Sequence, residues 1–161
     1  MSLFGIAMIY VDDAGLAAIR DHGGRVYPEE CCGILLGRVT AGGDRRVVEL
    51  IALENRNSNS RHNRFLIEPQ DIVHAEKYGR QKGLELVGFY HSHPDCEARP
   101  SRFDLDHAWP WYTYVIVSVL QGKPDTLTCW QLSDDRSQFD TVELIPNSAA
   151  TFMMEGEHRN A

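Results

Sequence analysis

Residues 88–104, GFYHSHPDCEARPSRFD, tie the end of a strand to a tight return of the chain. The apolar segment over 84–93 reads as a strand and ends in His-Ser-His-Pro. A strand sends residues two apart to the same face, so His91 and His93 point the same way, about 6–7 Å apart at their Cα atoms. Pro94 ends the strand and fixes the exit of the chain. Beyond a polar loop, Ser101 and Asp104 stand three apart, which puts them on one face of a helix. Asp106 points nearly the other way on such a helix, leaving Asp104 as the better third ligand. Two imidazoles and one carboxylate make a three-ligand zinc site whose fourth position is left for water. That open position separates catalytic sites from closed structural ones. Each residue also has a plainer reading: solvated histidines at a strand end, and a Ser-x-x-Asp helix cap. The cap and the metal reading are compatible. All five positions together favour the metal.

Such a site needs a general base from another segment. Glu29 and Glu30 open the apolar run CCGILLG, where a carboxylate is desolvated and its pKa raised. Either register is open on the residues alone. Ser101 is placed to donate a hydrogen bond to an oxyanion.

Composition removes several classes. The chain has 161 residues, enough for one ordinary domain with its own core. Apolar residues make up 43% and charged residues 24%, as in a soluble globular protein. A net charge of −7 argues against a phosphate-backbone binder, so no nucleic-acid partner is expected. No apolar run reaches the roughly 18–20 residues of a membrane span. The N-terminal stretch lacks a basic region before its apolar patch and reads as a first strand, not as a signal peptide. Cys31, Cys32, Cys96 and Cys129 show no disulfide or C-x-x-C spacing. Reduced thiols and a cytoplasmic location are the expectation. Cys31, Cys32 and Cys129 read as core residues. Cys96 reads as an exposed thiol, with a role as an extra zinc ligand as the alternative. His62, His74 and His107 read as surface residues, and Trp109, Trp111 and Tyr112 as core or rim packing.

Strands are expected over 7–11, 27–39, 45–55, 84–93, TYVIVSVL, TLTCWQL and FDTVELIP, and helices over AGLAAIRDHG, 69–83 and 101–109. The continuous apolar run in 27–39 suits a strand buried on both faces. The order implies an α+β fold, a mixed and mainly antiparallel sheet flanked by helices. One domain is expected over 1–146, with 147–161 as a tail.

HSHPDCEARPSRFD resembles the JAMM signature H-x-H-P-x(6)-S-x(2)-D at every fixed position, and EECCGILLG resembles the upstream E-x-x-G segment of the same family. The sequence is therefore identified as a member of the JAB/MPN zinc metallopeptidases, of the small bacterial single-domain type, a fold similar to the cytidine-deaminase-like architecture. The resemblance runs from about Ile9 to Pro146. It implies one zinc ion held by His91, His93 and Asp104, Glu30 as acid/base in the register set by Gly33, and Ser101 as oxyanion support. It also implies hydrolysis after the C-terminal Gly-Gly of a ubiquitin-like sulfur-carrier protein, with release of an amino acid such as cysteine or processing of the carrier. The alternatives are an isopeptidase removing ubiquitin-like modifiers, a phage-tail peptidoglycan enzyme, a non-catalytic scaffold of the same fold and a DNA-repair-associated member. The complete ligand set argues against the scaffold. No oligomeric state follows from the sequence, and a dimer is left open.

Overall fold

The computed structural model describes residues 7–55 and 67–146. His62 and the expected tail over 147–161 lie outside the described residues. A short strand β1 (Met8–Tyr10) leads into helix α1 (Asp13–Val26). Asp12 starts this helix by accepting from Gly15 N–H at 2.7 Å, which satisfies one of its unpaired first-turn donors. Strands β2 (Cys32–Val39) and β3 (Arg45–Leu53) form an antiparallel pair. Helix α2 (Pro69–Gln81), with proline in its first turn, leads to β4 (Glu85–Pro94). Helix α3 (Arg102–His107) connects β4 to its parallel neighbour β5 (Thr113–Leu120). Strands β6 (Lys123–Leu132), β7 (Phe139–Thr141) and β8 (Glu143–Ile145) follow.

One eight-stranded sheet runs in the order β7-β6-β5-β4-β2-β3-β1-β8. Four of its seven pairings are antiparallel and three are parallel. The fold is thus the mixed α+β sheet expected, with β4 at the centre. The sheet separates two apolar clusters. One, beside α1, holds Leu16, Ile19, Leu35, Val87, Tyr90, Val115 and Val117. The other, beside α2, holds Ile34, Leu36, Ala75, Phe89 and Tyr114. Consecutive residues Ile34, Leu35 and Leu36 are fully buried on opposite faces, which is why β2 reads as an unbroken apolar run. Truncating any of them to alanine costs about 2–5 kcal/mol.

The strand expected over FDTVELIP is two strands in the structure. Its first half, β7, pairs with β6, and its second half, β8, pairs with β1 at the opposite end of the sheet. Val142 between them donates its N–H to the Cys129 carbonyl at 2.9 Å. One extended segment therefore supplies both edge strands, and the sheet curls to bring its ends together. Among the described residues, no helix is long and apolar enough to cross a membrane.

Candidate metal centre

The end of β4 delivers the two histidines as the period of two requires. His91 and His93 are buried, and their Nε2 atoms approach to 3.2 Å. Asp104 comes from the first turn of α3. Its Oδ1 lies 3.3 Å from His91 Nε2 and its Oδ2 lies 3.2 Å from His93 Nε2. Ser101 is the cap of that helix. Its Oγ accepts from Asp104 N–H at 3.1 Å, while Ser101 N–H donates to Asp104 Oδ2 at 2.7 Å. This reciprocal capping box fixes the Asp104 rotamer. Asp106, the rejected ligand, is exposed and pairs with Arg102 at 3.0 Å.

These three side chains fit zinc. Ligands at about 2.0–2.1 Å in a tetrahedron stand about 3.3–3.4 Å apart; the two imidazole nitrogens stand 3.2 Å apart, each has one oxygen of the Asp104 carboxylate at 3.2 or 3.3 Å, and one donor atom from each residue lies within 4.8 Å of the others. The tautomer supports the same conclusion. His93 Nδ1 lies 2.9 Å from the Glu97 carbonyl, which only accepts, so the proton sits on Nδ1. In its neutral form His93 therefore aims the Nε2 lone pair at a carboxylate and a second imidazole nitrogen, an arrangement that a cation between them would satisfy. Among the described residues, His91, His93 and Asp104 are the group able to hold a metal ion. Cys96 is exposed and stands outside it.

The electrostatics follow from burial and proximity. Burial lowers the pKa of His91, against the opposing pull of Asp104. Burial also works to lower that of His93, but Asp104 and the Glu97 carbonyl outweigh it and raise the value. Burial alone pushes the Asp104 carboxyl up; the two histidines and Ser101 N–H reverse this and hold it well below the usual carboxylate range.

Glu30 reaches the same centre from the segment before β2. It is 3% exposed, and its Oε1 lies 3.9 Å from His93 Nε2. Its Oε2 is buried and takes no hydrogen bond among the described residues. Burial raises its pKa to about 8, with His93 opposing and Asp104 adding to the rise. Glu29 is half-buried and shares with Glu30 a hollow lined by His22, Leu53 and Asn55, but only Glu30 pairs with a histidine of the centre among the described residues. The structure thus brings Glu30, and not Glu29, to the histidines. Burial pushes the Cys31 thiol to about 11 and the Cys32 thiol to about 12, so neither offers a thiolate near neutral pH.

A cavity of about 420 Å³ opens beside the ligands, walled by Ile72, Phe89, Phe103, Trp109 and Tyr114 and reaching His91 and Asp104. Trp109 is 58% exposed and sits on its rim, as do exposed His107 and Arg136. His74 is exposed on α2.

Three features escaped the sequence reading. Gly33 lets the Tyr90 ring cross β2, since a Cβ there would stand 2.1 Å from a ring carbon. Tyr90 in turn bonds its hydroxyl to buried His22 at 2.8 Å. Ser92 and Asn55 grip the backbone beside Glu30. The glycine of E-x-x-G was a visible signal; the other partners lie far apart in the chain.

The model of the prokaryotic homologs of the JAB domain matches residues 12–133. A desampylase of Haloferax volcanii is 33% identical over 112 residues, 66% of this chain and 74% of that protein. A probable TtuB-protein conjugate cleaving protease of Thermus thermophilus is 34% identical over 109 residues, 68% of this chain and 69% of that one. The solution structure of a Salinibacter ruber protein superposes with a TM-score of 0.68 at 45% identity, covering 87% of this chain and 92% of the other. Sequence, fold and site agree, and the chain belongs to the prokaryotic homologs of the JAB domain as a JAMM-type hydrolase.

Proposed function

We propose that this protein is a zinc-dependent metallopeptidase that cleaves the peptide or isopeptide bond following the C-terminal Gly-Gly of a ubiquitin-like sulfur-carrier protein. The observation that carries the reading is the convergence of His91, His93 and Asp104 beside a buried, partly unbonded Glu30 carboxylate. The similarity to a desampylase and to a conjugate cleaving protease supports a conjugate as the substrate. The activity is assigned to a single domain over residues 1–146, working in the cytoplasm.

His91, His93 and Asp104 hold one zinc ion, which supplies Lewis acidity toward water and the scissile carbonyl. Glu30 takes the proton of the attacking water and returns it to the leaving amine. Burial raises the pKa of this carboxyl in the metal-free protein, the direction that suits a base which must also hand its proton on. Ser101 Oγ accepts from Asp104 N–H with a lone pair, which leaves its O–H free to donate to the oxyanion. The carrier tail lies extended on its approach, as peptides do beside a sheet edge.

The test is cleavage of a fusion whose carrier ends in Gly-Gly, against the same fusion with those two residues deleted. The reading expects cleavage after the second glycine and none without the tail. Equal cleavage of both fusions contradicts the substrate assignment.

A further inference from the structure

The geometry points to Ser92 as a positioning residue that aims Glu30, acting together with Asn55. The inference rests on the reading of Glu30 as the base. Ser92 sits between the two histidines, so the alternation of β4 turns its side chain to the opposite face, where it is fully buried. There its Oγ accepts from Cys31 N–H at 2.8 Å. Its own N–H donates to the Cys31 carbonyl at 3.2 Å. On the other side, Asn55 Nδ2 donates to the Glu30 carbonyl at 3.1 Å.

The Glu30 carbonyl and the Cys31 N–H are the two ends of one peptide unit. That unit lies just before β2, whose sheet pairing begins at Cys32. Two buried side chains there take the place of ladder partners and fix the plane of the peptide. The plane fixes the Glu30 carbonyl and Cα, the root from which the side chain departs. Among the described residues Glu30 Oε2 takes no hydrogen bond, so the restraint the protein places on this side chain acts at its backbone root. One residue of β4 thereby couples the base to the strand that carries both histidines. Ser92 faces away from the reacting atoms and acts through Glu30.

The test uses Ser92→Ala and the shape-matched pair Ser92→Thr and Ser92→Val, in which only the threonine keeps a hydroxyl. In the zinc-loaded enzyme, Ser92→Ala and Ser92→Val are expected to lower kcat by about 10–100-fold, the cost of a misplacement near 1 Å. KM stays within about twofold and bound zinc is unchanged; Ser92→Thr recovers turnover relative to Ser92→Val. In the metal-free protein, hydrogen exchange at the Cys31 amide is expected to be slow in wild type and Ser92→Thr, and fast in the other two, while Ile34 and Leu35 stay protected. The proposal is overturned if Cys31 exchanges alike in all four proteins. It is also overturned if kcat falls only in step with lost zinc, or if threonine and valine behave alike. A wild type that cleaves no carrier conjugate overturns the functional reading instead, and the exchange data then decide on Ser92 alone.

Discussion

Glu30 is a carboxyl taken almost wholly out of water. Its pKa is raised by burial to about 8, so the folded, metal-free protein favours the protonated carboxyl. A carboxyl with a raised folded pKa contributes stability that is full below its ordinary pKa and is lost as pH rises through about 8. Denaturant melts of metal-free wild type and Glu30→Gln at pH 5.5 and 8.5 check this. Wild type is expected to lose more stability than the variant over that interval, by on the order of 2 kcal/mol. A parallel loss in both proteins contradicts the buried-carboxyl account. The convergence of His91, His93 and Asp104 was legible in the sequence because it depends on local spacing, two along a strand and three along a helix turn. Ser92 was not, because its partner Cys31 is 61 positions away and nothing in H-x-H marks the middle residue.

At the scale of the element, α3 serves two ends with one cap. Ser101 closes the helix and fixes Asp104, while its O–H stays available to substrate. Ser101→Ala is expected to lower stability by about 1 kcal/mol through the lost cap, read as a shift in denaturant midpoint. The same change is expected to lower kcat by about 10²–10³-fold through the lost donor. A stability loss with unchanged kcat assigns Ser101 to the helix alone. The helix and its cap were readable from Pro-Ser-x-x-Asp, since capping is a local contest for unpaired N–H groups. Division of FDTVELIP into β7 and β8 was not readable. No glycine or proline interrupts the segment before Pro146, and the partners on either side, β6 and β1, tell the halves apart.

At the scale of the whole molecule, the metal centre is a staple between distant parts of the chain. It joins the end of the central strand to α3 and lies against the segment before β2. An ion that binds the folded chain and not the unfolded one stabilises it by mass action, about 4 kcal/mol at a thousandfold excess over Kd. Removal of zinc by a chelator is expected to lower Tm by several degrees and abolish cleavage, with both restored by added zinc. An unchanged Tm contradicts binding at this centre. The sheet order was not legible, because it is set by which buried faces meet. The two-faced burial of β2 was, because a strand covered by α1 on one side and α2 on the other has no polar face to show.

The central claim is that Glu30 is the base of a zinc centre to which it contributes no ligand. Its most direct test is zinc content and steady-state turnover of Glu30→Gln beside wild type, on the same Gly-Gly carrier conjugate. The account predicts one zinc per chain in both proteins and a loss of kcat of about 10²–10⁴-fold in the variant. Turnover by Glu30→Gln near the wild-type rate at full zinc occupancy contradicts it.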